Sequence, residues 1–410
     1  MEPPPPTRGA VVSGVTAGPG GRLRSLDAFR GATIAGMILV NNPGTWAAVY
    51  PPLRHAEWHG WTPTDLIFPY VLFIVGVAVA LALGRRLDAG DSRGELVRRA
   101  AWRAAVLVGL GLFMAAWPFV RLAPEFALLD FSLLRIPGVL QRIGVCYFLG
   151  VLAYLFLRSR GRAVLGGILL LGYWWALTRL PVPGTGAAGL LEPPSATLAA
   201  WVDRTLLGDH LWAAANREWD PEGVLSTVPA VVTVLLGIWA GERLRWAERG
   251  GASQLPPTGW LLLWGAVLTL AGLLWGQTFP INKQLWTSSY VLFTGGTAFV
   301  ILGALHWRVD GRPPHGEPGA PGWWVRALEI YGVNAITVFV ASGLLAKTLA
   351  VVPVTLPDGR RGSVGTAIYQ ALFAPLGPPE LGSLLHAVAW VAGWWAVLAW
   401  MYRRGWVWKI

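Results

Sequence analysis

Three consecutive stretches decide the fold: SLDAFRGATIAGMILVNNPG from Ser25 to Gly44, PPLRHAEWHGWTPTD from Pro51 to Asp65, and LIFPYVLFIVG from Leu66 to Gly76. The first and third are apolar runs long enough, with their flanks, to cross the roughly 30 Å hydrocarbon layer of a bilayer. The second is a polar connection rich in histidine, proline and tryptophan. Asn41, Asn42, Pro43 and Gly44 stop the first helix, and Asp65 opens the next, where a carboxylate suits the positive end of the helix dipole.

The same alternation continues along the chain. Of 410 residues, 54% are hydrophobic and only 13% are charged, against about 25% charged in soluble domains. A water-soluble enzyme is excluded. Windowed hydropathy predicts about ten spans, centred near Ile34, Ile74, Gly109, Val145, Leu170, Val234, Leu268, Val300, Phe339 and Val391, so the expected fold is an all-α polytopic membrane protein. Residues 1–24 read as a proline- and glycine-rich tail and residues 25–405 as one transmembrane domain.

The net charge is +11 and most basic residues are arginine. With the amino terminus in the cytoplasm, twice as many basic residues fall on the inner side as on the outer, so both termini are expected there. This accounts for the charge without nucleic-acid binding. The longest outer loop, 179–223, is expected to carry an amphipathic helix starting at Pro193, Pro194 and Ser195, with Leu198, Trp201, Val202 and Leu206 on one face. Cys146 is the single cysteine, which excludes an intrachain disulfide and a cysteine metal cluster.

Chemistry-bearing residues collect at span edges. His55 and His59 lie four apart beside Glu57, but Gly60 and Pro63 interrupt the helix that a metal-binding pair would need, and no third ligand is evident. No metal is expected. A general base fits the imidazole better, with Asp65 either capping its helix or orienting a histidine. Asp27 and Arg30 share a helix face at the inner mouth of the first span. Gln141 and Arg142 stand inside an otherwise apolar helix, and Asn334 inside another; such groups face a cavity or a partner. Asp220 and Glu222 read as helix caps and Lys283 as an interfacial anchor. His210, His306, His315 and His386 have no close acidic or histidine neighbours in sequence, and no chemistry is assigned to them.

The collinear motifs RLRSLDAFRG, RHAEWHGWTPTDLIFPYVLFIVG, RIPGVLQRIGVCYF, WDPEGVLST and INKQLWTSSY resemble those of the heparan-α-glucosaminide N-acetyltransferase family, lysosomal transmembrane acetyltransferases and their bacterial homologues, from Arg22 to about Trp400. The resemblance implies transfer of acetyl from cytoplasmic acetyl-CoA to the amine of a glucosamine-type sugar on the far side. It implies His55 as the active-site histidine, Asn41 (or Asn42) as the asparagine ending the first span, and Asp65 as the aspartate opening the second. The basic inner face, with Arg30, Gln141, Arg142 and Asn334, is then expected to hold CoA. His55 serves either as base or as an acetyl-accepting nucleophile. The family's large lumenal amino-terminal domain has no counterpart in this sequence, which favours a small amino sugar or a cell-envelope glycan as acceptor. Expected partners are acetyl-CoA, that sugar, the bilayer of a bacterial inner membrane, and a second copy of the chain if it dimerises. The competing readings are an amino-sugar permease and a transferase of another acyl group to a hydroxyl.

Overall fold

The computed structural model describes residues 23–122, 126–251, 253–311, 322–357 and 359–408. Thirteen α-helices are present among them: α1 (Arg24–Asn41), α2 (Pro63–Asp88), α3 (Arg93–Ala116), α4 (Val139–Phe156), α5 (Ser159–Arg179), α6 (Leu198–Leu207), α7 (Val224–Glu248), α8 (Pro257–Trp275), α9 (Ser288–Leu305), α10 (Trp323–Val333), α11 (Ala335–Val351), α12 (Val364–Leu372) and α13 (Pro379–Arg403). Two short antiparallel hairpins, β1 (Val120–Arg121) with β2 (Ala127–Leu128) and β3 (Pro353–Thr355) with β4 (Arg361–Ser363), complete the secondary structure.

All ten expected span centres fall inside helices. Seven helices (α2, α3, α4, α7, α8, α13, and α9 with its π-helical extension to Asp310) are long and apolar enough to cross a membrane. An eighth span results if α10 and α11, bent by 74° where they meet, are taken together. The helices α1 and α5 are of spanning length but more polar: α1 packs Arg24, Asp27 and Arg30 into 18 residues, and α5 opens on Arg160 and Arg162. The expected amino-terminal tail, 1–24, lies outside the described residues except for its last two.

The spans sort into an inner and an outer set. In α2, α7 and α9 67% of the most apolar stretch is buried within the protein, and in α4 56%, whereas α3 and α13 reach 22% and α8 17%. The inner four all run in the same direction. Gly76 of α2 meets Val234 and Gly237 of α7, and further along Gly84 meets Arg245. Gly150 of α4 meets Val234, while Arg142 near the start of α4 bonds Ser226 near the start of α7. Tyr290 at the start of α9 bonds Asp65 at the start of α2, and Phe299 stacks on Phe73. Four helix amino termini therefore gather at one end of the bundle. Their carboxyl termini gather at the other, with Arg85, Arg86, Arg243, Arg245, Arg249 and Arg308.

Glycines permit the closest crossing. A Cβ on Gly237 would lie 2.0 Å from the Phe73 carbonyl oxygen and one on Gly76 2.1 Å from that of Val234. Gly237→Ala is expected to push α2 and α7 apart and cost about 1–3 kcal/mol. Gly172→Ala on α5, where a Cβ meets nothing, should be neutral or stabilising by about 0.5–1 kcal/mol through helix propensity. Thermal unfolding in detergent compares the two.

The loop helix departs from its expected form. Thr197, not Pro193 to Ser195, caps α6 by accepting the Ala200 N–H, and the prolines instead start a separate three-residue 3-10 turn. Its buried side is Leu198, Ala199, Ala200 and Asp203, while Leu206 is exposed. The reason lies in Asp203, whose carboxylate accepts the Val224 N–H at the start of α7 (2.8 Å) and so turns that side inward.

Candidate active site

The segment Arg54–Thr62 crosses the end of the bundle where the four amino termini gather. Thr62, Pro63 and Asp65 form a capping box at the start of α2, with proline at the first helical position where its missing N–H costs nothing. One carboxylate oxygen of Asp65 accepts the N–H groups of Thr62 and Ala56, both at 3.0 Å. The other stands 2.6 Å from His55 Nδ1. Asp65 thus serves as cap and histidine partner at once. Its side chain is 1% exposed and that of His55 42%, so an ionised carboxylate buried in the fold places the imidazole proton on Nδ1 and leaves Nε2 as the accepting nitrogen.

A proline inside α2 contributes to this placement. Pro69 lacks the N–H that would bond the Asp65 carbonyl one turn back, and the Tyr290 hydroxyl from α9 donates to that carbonyl instead, at 2.5 Å. The loop 280–287 is drawn in further by Gly60 N–H to Ile281 O (2.8 Å) and by the Asn282 amide to His59 Nδ1 (3.2 Å). The loop 179–223 joins through the Trp58 indole N–H to Leu191 O, 2.8 Å. Three connections widely separated in sequence thereby meet at the segment that carries His55.

Lys283 is the residue that this convergence adds. Its Nζ lies 3.2 and 3.3 Å from the two ring nitrogens of His55 and 3.9 Å from Asp65 Oδ1. Burial lowers the pKa of its ammonium below the usual lysine value, with Glu222 and Asp65 opposing that shift. Glu222 and Asp220 both bind Arg135, at 2.5 and 2.6 Å. Burial raises the Glu222 pKa, but Arg135, Arg142 and Lys283 outweigh it and hold the carboxyl below its usual range. Asp220, Glu222 and Lys283 thus belong to one electrostatic cluster beside the His55–Asp65 pair, beyond the capping and anchoring that each explains alone. The polar density of WDPEGVLST and INKQLWTSSY was the visible signal; their spatial meeting was not.

The remaining candidates are distributed unevenly. Gln141 donates to Ile136 O (3.0 Å), and its side chain occupies the space left by Gly111 and Gly138. Arg142, on the first turn of α4, lies at the His55 end of the bundle. Arg30 lies elsewhere. It pairs with Asp27 at 3.1 Å in the first half of α1, and nearby Ser25 N–H bonds Asp310 beyond the far end of α9, about 30 Å from Tyr290 at 1.5 Å per residue. Arg30 and Arg142 therefore do not share a site. Asn334, at the bend between α10 and α11, is engaged by the carboxyl-terminal segment through Trp406 O (3.1 Å) and Trp408 N–H (3.0 Å). Asn41 ends α1 exposed, and among the described residues no hydrogen bond joins it to His55 or Asp65.

The other histidines have structural partners. His386 lies against Asn42 O and accepts the Trp390 indole N–H, His210 bonds Leu134 O, and His306 bonds Thr258. His315 lies outside the described residues. Among the described residues no group of three or more His, Cys, Asp or Glu side chains is placed to hold a metal ion.

Asp203 adds a pH dependence. Burial, with Asp220 nearby, pushes its carboxyl up to about 7 from 3.8. Between about pH 4 and pH 7 the folded chain keeps a proton that the unfolded chain has lost, so stability falls as pH rises through that window. Asp203→Asn should flatten this part of the melting-temperature profile by a few degrees, because the amide oxygen still accepts the Val224 N–H and no charge is buried.

The family profile described as heparan-alpha-glucosaminide N-acetyltransferase, catalytic, matches residues 22–257. The chain belongs to this family. The match takes in His55, Asp65, Arg135, Arg142 and Glu222, and Lys283 lies beyond it. The human heparan-alpha-glucosaminide N-acetyltransferase is 34% identical over 364 residues, which is 78% of this chain and 52% of that protein. The mouse heparan-alpha-glucosaminide N-acetyltransferase is 33% identical over 368 residues, 79% and 54% respectively. The chain thus spans about half the length of these curated relatives.

Proposed function

We propose that this chain is a membrane acetyltransferase that moves an acetyl group from acetyl-CoA to the amine of a glucosamine-type sugar. The observation that carries the reading is the His55–Asp65 pair, an imidazole oriented by a buried carboxylate through Nδ1 with Lys283 Nζ 3.3 Å from Nε2, in a chain similar to enzymes named for glucosaminide N-acetylation. The basic end of the bundle faces the cytoplasm in this reading, with both termini, ten spans and a single transmembrane domain over 25–405. The loop 179–223 and His55 face outward, across a bacterial inner membrane.

The chemistry follows from the charges. CoA carries phosphates that cannot enter hydrocarbon, so its nucleotide end remains at the basic end, near Arg30, and only the uncharged pantetheine arm reaches inward. The acceptor amine, as the neutral base, attacks the thioester carbon while His55 Nε2 takes its proton and Asp65 stabilises the imidazolium that forms. Collapse of the adduct expels the CoA thiolate, which recovers the proton. Direct transfer is the route this reading takes over an acetyl-histidine, since a cavity reachable from both sides would let the amine meet the thioester itself.

Purified protein incubated with labelled acetyl-CoA and a panel of amino sugars and sugar alcohols tests this reading. N-acetylated amino sugar is the expected product. Ester formation alone would move the assignment to a hydroxyl acceptor, and no acetylated product with any acceptor would overturn the transferase reading.

A further inference from the structure

Arg142 is only 2% exposed, yet its Nε and Nη1 have no hydrogen-bond partner among the described residues. The third nitrogen, Nη2, is pinned to Gly223 O (3.1 Å) and to the Ser226 hydroxyl at the start of α7. The guanidinium lies over the Trp286 ring, 5.0 Å from its centroid. Trp286 is itself fixed, with φ at +53° and its indole N–H directed to Thr233. The plane of the cation is therefore held from two sides.

A buried guanidinium with two idle donors is an expensive way to fill a helix bundle. Glu222, the carboxylate nearest in sequence to its anchor, is already bound by Arg135. The amino termini of α2, α4, α7 and α9 add partial positive charge around the same point. Donors fixed in advance, in a site shielded from water, are what a developing oxyanion requires.

We infer that Arg142 holds the acyl carbonyl oxygen of the donor through Nε and Nη1. This rests on the acetyl-transfer reading above. When the amine nitrogen bonds to the carbonyl carbon, the C=O electron pair moves onto oxygen, and Arg142 stabilises that charge. As the C=O bond re-forms, the carbon–sulfur bond breaks and the CoA thiolate leaves with the proton that His55 took from the amine. The role differs from holding the nucleotide end of CoA, which belongs at the far end of the bundle.

Kinetics with acetyl-CoA and glucosamine on wild type, Arg142→Gln, Arg142→Lys, Arg142→Ala and Ser226→Ala test the assignment, with melting temperature and CoA affinity measured on each. Arg142→Gln is expected to lower kcat by about 10²–10³-fold, the range for losing an oxyanion donor, with KM for acetyl-CoA within about threefold. Millimolar guanidinium should restore part of the rate of Arg142→Ala, and Arg142→Lys should fall between. Ser226→Ala keeps the charge and loosens its plane, so a loss of about tenfold in kcat alone is expected even if the arginine variants fail to fold. Raised KM with kcat preserved, or full kcat in folded variants, would overturn the inference. An inactive wild type would instead overturn the acetyl-transfer reading beneath it.

Discussion

Replacing His55 by alanine is expected to lower acetyl transfer by about 10³-fold or more while leaving the fold intact. General-base assistance contributes typically about 10²–10⁴-fold, and the imidazole stands against a buried carboxylate through Nδ1 while its side chain stays accessible. Its side chain is 42% exposed, so truncation opens no core cavity, but it removes the partner of the buried Asp65 carboxylate, and a stability loss of about 1–3 kcal/mol is expected. Acetyl-CoA should bind the variant as it binds the wild type. Rates per folded enzyme and CoA affinity, measured together, check both halves. A variant that keeps wild-type turnover would remove His55 from the chemistry.

Asp65→Asn is expected to cost nearly as much activity for a different reason. The amide presents an N–H where the carboxylate accepted one, which drives the histidine proton to Nε2 and takes away the lone pair that faces the substrate. Similar loss of the correct tautomer lowers catalysis by up to about 10⁴-fold in a serine protease triad, and about 10²–10⁴-fold is expected here. The oxygen that does not face His55 caps α2 through the Thr62 N–H and also holds the Ala56 N–H, so a stability loss of about 1 kcal/mol accompanies it. Asp65→Glu, which keeps the charge and moves it outward, should recover stability less well than Asn and activity better. The opposite order would make Asp65 a structural cap alone.

Most of the helical plan was legible because apolar runs of spanning length are a strong signal. The start of α2 was legible through Asp65, read as a cap or as the partner of a histidine, and its two oxygens make both contacts; the parts that Thr62 and Pro63 play there were not read. What could not be read was which helices share the interior. Glycines such as Gly76 and Gly237 are visible in the sequence, but only the packed structure pairs them.

The site was half legible for a related reason. His55 and Asp65 are ten residues apart and joined by a short loop, so the sequence alone suggests their meeting. Lys283 stands 228 residues from His55, and it comes from the loop before α9, which Tyr290 ties to α2 through the carbonyl that Pro69 leaves unmatched. Arg142 and Arg30 were grouped by residue type as holders of a charged cofactor. Span direction separates them, since the fourth residue of α4 stands at the end where α2 also begins.

The central claim is transfer of acetyl from one side of the membrane to the other with His55 as its base. The most direct test places labelled acetyl-CoA outside inside-out proteoliposomes and glucosamine within, for wild type and His55→Ala. The account predicts labelled N-acetylglucosamine in the lumen with wild type only. Product outside the vesicles alone, equal product from both proteins, or sugar moving across without acetylation would contradict it.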